Sequence, residues 1–135
     1  MLERLSDPML VAQCLTALFL AILFLQSGID KVIDFSGNKA WLTAHFAKSP
    51  LRGQVSVMLP LVTLLECAVG VLALIGAGQV IASGDTQIAL YGAQLAALNI
   101  TMLFFGQRIA KDYVGAAVLV PYFILSIGAI VLLSR

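Results

Sequence analysis

Four apolar runs dominate the 135-residue sequence, and each is long enough to cross a lipid bilayer. A helix of about 20 apolar residues spans a hydrocarbon core of about 30 Å. Because lipid offers no partner to backbone polar groups, spanning segments of this length must be helical. The sequence therefore predicts an all-α integral membrane four-helix bundle, a single transmembrane domain over residues 1–135. The predicted spans are about 9–33, 55–78, 86–105 and 113–133.

The composition agrees with a lipid environment and argues against several other classes. Hydrophobic residues make up 61% of the chain and charged residues 11%, whereas soluble domains carry about 25% charged residues. A net charge of +1 does not suit a nucleic-acid binder, which is usually strongly basic. The first apolar run exceeds the roughly 7–15 residues of a signal-peptide core, so we interpret it as a retained span. The expected partners are the lipid bilayer and other membrane protein subunits, with no nucleic acid.

The connection between the first two spans, about 35–53, predicts a short amphipathic helix that lies in the headgroup plane. Trp41 and Phe46 are its expected interfacial anchors, because aromatic side chains concentrate at that depth. Two sets of residues alternate at helical spacing, Trp41, Leu42, His45 and Phe46 on one side and Lys39, Thr43 and Lys48 on the other.

Small residues recur on one face of each predicted span, and membrane helices pack closely on such faces. The faces are Ala17, Ala21 and Gly28 in the first span, Glu66, Gly70, Ala73 and Ala77 in the second, Ala89, Gly92, Ala96 and Asn99 in the third, and Gly115, Leu119, Tyr122, Ser126 and Ala129 in the fourth.

A layer of polar side chains is predicted at a common depth, roughly 10–15 Å from the more basic end of the spans. Its members, one per span, are Gln26, Glu66, Asn99 and Tyr122. A carboxyl group within the membrane is costly unless it has a partner, so Glu66 is a functional-site hypothesis by default. Ser27 and Lys31 stack at the end of the first span, and the Lys31 stem can turn inward toward Glu66 or outward to the interface. The layer either forms a ligand or proton site or only bonds the helices to one another.

Basic residues cluster around the first and third connections, which predicts that these connections are cytoplasmic and that both termini are on the non-cytoplasmic side. Lys31, Lys39, Lys48, Arg52, Arg108 and Lys111 belong to the basic end, and Arg4 and Arg135 to the other.

The sequence has one histidine and two widely spaced cysteines, Cys14 and Cys67. It therefore excludes a haem held between two histidines of this chain, and it offers no ligand set for zinc or iron. The cysteines are predicted at different depths, so no disulfide is expected. No catalytic residue is assigned. This chain is expected to bind no cofactor alone, apart from a quinone or a lipid as candidate ligands, and any electron-carrying cofactor would belong to a partner subunit.

Two segments resemble motifs of the DoxX family of small four-helix bacterial membrane proteins. Residues 24–35, FLQSGIDKVIDF, resemble the first-helix signature, in which a phenylalanine-rich span ends in Ser-Gly-x-x-Lys and an Asp-Phe turn. Residues 65–76, LECAVGVLALIG, are similar to the second-helix pattern of a glutamate, a glycine four residues later and a Leu/Ile-Gly ending. By this resemblance, Lys31 and Glu66 occupy the positions to which a site role would be carried over.

The resemblance implies a multi-pass protein of the bacterial inner (cytoplasmic) membrane. The family includes a subunit of a thiosulfate:quinone oxidoreductase, and other members are associated with thiol and oxidative-stress complexes. It thus implies a small accessory subunit or partner of a membrane-bound, quinone-linked redox complex. Two alternatives stay open, a purely structural or assembly subunit of a larger membrane complex and a small proton-coupled transporter. The acid of such exporters lies in the first span, whereas Glu66 lies in the second.

Overall fold

A computed structural model describes residues 6–51 and 53–135, and all regular secondary structure in these ranges is helical. Four helices are long and apolar enough to cross a membrane, and a short helix lies between the first two. The predicted all-α four-span architecture is therefore confirmed. The helices in chain order are α1 (Pro8–Ile33), α2 (Phe35–His45), α3 (Val55–Ser83), α4 (Gln87–Ile109) and α5 (Tyr113–Leu133).

Local sequence explains several helix ends. The Asp7 side chain accepts a hydrogen bond from the Met9 N–H at 3.1 Å, and Pro8 occupies the first turn of α1, where its missing N–H costs nothing. The Asp112 carboxylate accepts from the Gly115 N–H at 2.9 Å and so caps α5. Carboxylates at these positions also complement the positive end of the helix dipole.

Two spans are longer than their apolar runs predict. α3 continues past residue 78 to Ser83 and ends at Gly84, whose φ of 78° suits glycine in a left-handed C-cap. α4 continues past residue 105 to Ile109. The extra residues, 79–83 and 106–109, contain no proline, so helical hydrogen bonding continues beyond each predicted span until the left-handed Gly84 ends α3 and the turn that begins at Ala110 ends α4.

The bundle is built from consecutive antiparallel neighbours. α1 packs most extensively on α3, α3 on α4 and α4 on α5, while lesser contacts bring α1 against α4 and α5. Glycines let the backbones approach closely: a Cβ at Gly28 would lie 2.8 Å from Cys67 Sγ, and one at Gly70 would lie 2.5 Å from Leu25 Cγ. Such contacts supply the van der Waals packing that holds helices together in lipid.

The predicted packing faces are confirmed. Those of the first three spans are buried throughout, and the fourth is buried or half-buried. Large apolar side chains cover the opposite, outer surfaces of the spans, as expected where the surrounding solvent is lipid. Examples on the outer surfaces are Leu15, Phe19, Ile22, Val57, Leu64 and Val71.

The interfacial segment is helical only over α2, and turns follow it. Phe46 is buried, and Leu42 and His45 are half-buried, whereas Trp41 is 59% exposed. The Trp41 ring stacks on the His45 ring with centroids 4.7 Å apart. The predicted apolar side is therefore divided, because α2 ends at His45 and Phe46 lies in the turn that follows. Phe46 packs into the bundle, and Trp41 remains a predicted headgroup anchor.

The described basic residues divide between the two ends of the bundle as the sequence predicts. Lys31, Lys39, Lys48, Arg108 and Lys111 lie in or near the connections where α1 and α4 end and α3 and α5 begin, and Arg135 lies at the other end. The predicted contributions of Arg4 and Arg52 fall outside the described residues. Which end faces the cytoplasm stays a prediction.

Candidate intramembrane polar site

An ion pair links the first two spans inside the bundle. Lys31 Nζ lies 3.0 Å from Glu66 Oε2, and the Glu66 side chain is only 3% exposed. The same ammonium donates to Ser27 Oγ at 2.9 Å. Of the two directions open to the Lys31 side chain, the structure has the inward one. Because an ammonium group carries three N–H donors, one donor remains for another acceptor after these two bonds.

The close approach of α1 and α3 explains how Lys31 reaches Glu66. Gly28 lies one turn before Lys31, and its Cα faces Cys67, the neighbour of Glu66. With no side chain at Gly28 to separate the helices, the lysine stem spans the remaining gap along the packed face. The Ser27 hydroxyl, four residues before Lys31, then holds the ammonium from its own helix.

A cavity of about 150 Å³ lies on the Lys31 side of the ion pair. Lys31 and Gln107 are the polar residues of its wall, and the remaining lining is apolar or glycine. Leu42 from α2 and Phe46 from the turn after α2 form part of the wall, so the interfacial segment contributes to this cavity at the basic end. The apolar lining is completed by Met58, Leu59, Leu61, Val62, Met102, Leu103 and Gly106.

A second cavity, of about 100 Å³, lies on the Glu66 side. Ser27, Glu66 and Tyr122 contribute its polar lining, so three spans bring a polar side chain to one space. The apolar lining comes from Leu23, Phe24, Ile100, Leu103 and Leu119. Leu103 also lines the first cavity, which places the ion pair between two neighbouring spaces.

Asn99 is the polar residue that the third span brings to the interior. It is fully buried, and neither atom of its side-chain amide has a hydrogen-bond partner among the described residues. Gly76 faces Ala89, and Gly92 faces Ala73. Continuing this antiparallel register by two turns places Asn99 level with Glu66. Asn99 therefore shares the depth of the layer, as predicted.

Gln26 does not belong to the interior layer, which corrects the predicted position. Its side chain is exposed on the outer surface of α1. Phe24 and Gly28 are both buried, and Gln26 lies two residues from each, about 200° around the helix. Packing on Gly28 fixes that rotation, so Ser27 takes the place in the site that Gln26 was expected to fill.

A second polar cluster, at the basic end, was not found from the sequence. His45 Nε2 lies 2.8 Å from Gln107 Oε1 and 3.5 Å from Asp112 Oδ2. These contacts tie α2 to the end of α4 and to the α5 cap. The one sign of this cluster in the sequence is the polar turn at 107–112. His45 and Gln107 are 62 positions apart, so local sequence patterns do not predict their contact.

The described residues hold no group of three His, Cys, Asp or Glu side chains suited to a metal ion. Cys14 and Cys67 are both free and partly buried. The chemistry that the arrangement offers is hydrogen bonding by a charged donor and proton exchange at a carboxyl, next to an apolar space.

Fold and site together define a small four-span membrane bundle with a partly buried lysine–glutamate pair between its first two spans. The chain belongs to the DoxX family, whose model matches residues 14–105. The match includes both motifs quoted above and continues through most of the third span, so the family resemblance is confirmed. Neither a curated protein nor a solved structure gives a significant match.

Proposed function

We propose that this chain is a small accessory subunit of a quinone-linked redox complex in the bacterial inner membrane, and that the cavity beside Lys31 holds the quinone ring. The observation that carries the proposal is an apolar cavity of about 150 Å³ with Lys31 as the one charged residue in its wall. An apolar protein cavity of about this volume accommodates one aromatic ring. Family membership supports the redox assignment, because the DoxX family includes a subunit of a thiosulfate:quinone oxidoreductase.

The residues of the cavity fit a quinone ring. A quinone has carbonyl acceptors on an otherwise apolar ring, and Lys31 retains one N–H after its bonds to Ser27 and Glu66. Glu66 balances the lysine charge, so a neutral ligand can bind without leaving an unpaired ion in the membrane. When bound, a quinone supplies an acceptor for two electrons and two protons. Lys31 would orient its carbonyl, and the wall of leucines and methionines would exclude water.

The electron donor in this proposal is a partner subunit. Purification from native membranes in mild detergent, followed by mass spectrometry, is expected to recover this chain with a protein that carries a redox cofactor. Turnover of that complex with decylubiquinone then tests the quinone site. A complex without any redox-active component would contradict the proposal and favour a structural or assembly subunit.

Lys31→Met tests the donor directly, but it leaves the Glu66 carboxylate buried without a partner. Removing one member of a buried pair costs about 3–5 kcal/mol, whereas replacing both with apolar residues is often neutral. The informative variant is therefore the double replacement Lys31→Met with Glu66→Met. We expect it to assemble but to bind decylubiquinone at least about tenfold more weakly, because one charge-assisted hydrogen bond to the quinone is lost.

Lys48→Met is the matched control, since Lys48 is exposed and lines neither cavity. It should leave decylubiquinone binding unchanged. If the double variant retains full quinone affinity and turnover, the cavity is not the quinone site. If it instead fails only to assemble with its partners, the polar pair has a structural role.

A proton-coupled transporter is a second candidate, favoured by one observation. Lys31 lines the cavity on one side of the ion pair and Glu66 the cavity on the other, an arrangement that would let a proton pass between the two spaces through the pair. Vesicles that contain only this chain distinguish the candidates. Proton uptake driven by an imposed pH gradient, and lost in Glu66→Gln, would favour the transporter over the redox subunit.

A further inference from the structure

The outer face of α4 carries polar side chains on a surface that faces lipid. The face consists of exposed residues that alternate at spacings of four and three, Gln87, Tyr91, Gln94, Leu98, Thr101 and Phe105. This alternation is the heptad spacing at which two helices pack side by side in a left-handed pair. Membrane helix pairs commonly use the same geometry.

Gln94 is the group on this face that most needs a partner. Leu98 is the midpoint of α4, and Gln94 lies four residues from it, or about 6 Å along the helix axis. Gln94 is therefore well inside a hydrocarbon core of about 30 Å. Its side chain is exposed, and its amide forms no hydrogen bond within the described part of the chain. Thr101, on the same face, is already satisfied, because its hydroxyl donates to the Ala97 carbonyl at 2.8 Å. An amide left unpaired in hydrocarbon is costly.

We propose that two copies of this chain associate through the outer face of α4, with Gln94 of each copy paired to Gln94 of the other. A glutamine amide has both a donor and an acceptor. A twofold axis along the membrane normal brings the same residue of two copies together, so the two amides satisfy each other. A second copy thus supplies the complementary group, and no other protein is required. This inference is independent of the proposed redox function.

The charges on α4 agree with a twofold contact. Arg108 is the one charged residue in the helix, and its guanidinium lies over the Tyr113 ring of its own chain at 4.6 Å from the centroid. No like charges therefore oppose each other along the Gln87–Phe105 face. The exposed amide of Gln26 on α1 differs in this respect, because Asp30 is exposed four residues away on the same side. Two copies meeting there would bring two carboxylates together.

Cysteine cross-linking tests the interface. In full-length chain carrying Cys14→Ser and Cys67→Ser, Gln94→Cys in native membranes should give a disulfide-linked dimer on oxidation, and Gln26→Cys should not. A linked product whose mass is not twice that of the chain would overturn self-association. So would efficient cross-linking at Gln26→Cys with none at Gln94→Cys.

Dilution in vesicles measures the contribution of the amide. Fluorescence energy transfer between labelled copies, followed as lipid is added, gives the association constant. Gln94→Leu should lower that constant roughly fivefold, the effect of losing a pair of weak interhelical hydrogen bonds. Gln26→Leu removes a comparable exposed amide and should leave it unchanged. Equal association of the Gln94→Leu variant and the unsubstituted chain would overturn the proposal.

Discussion

At Asn99 the bundle buries a side-chain amide that has no hydrogen-bond partner among the described residues. Such a group loses its hydrogen bonds to water and gains none in return. Asn99→Leu, which keeps a branched side chain but removes the polar atoms, should raise the free energy of unfolding by about 1–2 kcal/mol. Unfolding in mixed detergent–SDS micelles measures the change.

Thr63→Val is the control for Asn99, because Thr63 is also buried but its hydroxyl donates to the Leu59 carbonyl at 2.7 Å. Removing that satisfied group should lower the free energy of unfolding by about 0.5–1 kcal/mol. A destabilised Asn99→Leu variant would contradict the interpretation, since it would mean that the amide forms bonds in the folded protein.

Most residues of the candidate polar site are predictable from the sequence. Ser27, Glu66 and Tyr122 line one cavity, and Lys31 is paired with Glu66. Gln26 was the error, although its rotation around α1 could have been deduced from Gly28, two residues away. The contact of His45 with Gln107 could not be predicted, because the path of the connection after α2 decides it and no helical period extends through that turn.

The contact between α3 and α4 is closest at Gly76, which lies against Ala89. A Cβ there would overlap the backbone of Ala89, which cannot move without displacing α4. Gly76→Ala should lower the free energy of unfolding by about 1–3 kcal/mol, the usual cost of overpacking a core. Gly78, two residues later, has open space around its Cα. Gly78→Ala should be neutral or stabilise by up to about 1 kcal/mol, since alanine favours helix. Equal stability of the two variants would contradict this packing.

The position of α2 depends on the His45 contacts at the end of α4. His45→Ala removes the bond to Gln107 and the contact with Asp112, worth about 1–1.5 kcal/mol. Amide hydrogen exchange over 35–45 should then be about five- to tenfold faster. Thr43→Ala is the control, because the Thr43 hydroxyl donates to the Lys39 carbonyl within α2 and to no other described residue. If both variants exchange at the same rate, His45 does not hold α2 in place.

At the scale of the whole molecule, the sequence was sufficient for the architecture. Length, hydropathy and small-residue faces predicted four spans and the sides on which they pack, because lipid removes nearly every alternative. The cavities were not predictable, since a cavity is the space left when side chains from several helices fail to fill a volume. Hydropathy reports the average character of a helix and contains no information about that space.

The distribution of basic residues predicts the orientation of the molecule. The Lys31 ammonium is paired inside the bundle, so it should not count toward topology, but Lys39, Lys48, Arg108 and Lys111 still outnumber Arg135 among the described residues. Because positive connections stay cytoplasmic, alkaline phosphatase fused after Arg135 should be active and green fluorescent protein fused there should be dark.

Neutral variants distinguish charge from other determinants of topology. Replacing Lys39, Lys48, Arg108 and Lys111 with glutamine should produce a mixture of orientations, with measurable fluorescence from the fusion after Arg135, because the charge asymmetry that retains those connections is lost. Lys31→Met with Glu66→Met should leave the topology unchanged, since the double replacement removes a neutral pair from the interior. A shift in the double variant alone would mean that Lys31 directs insertion before it pairs with Glu66.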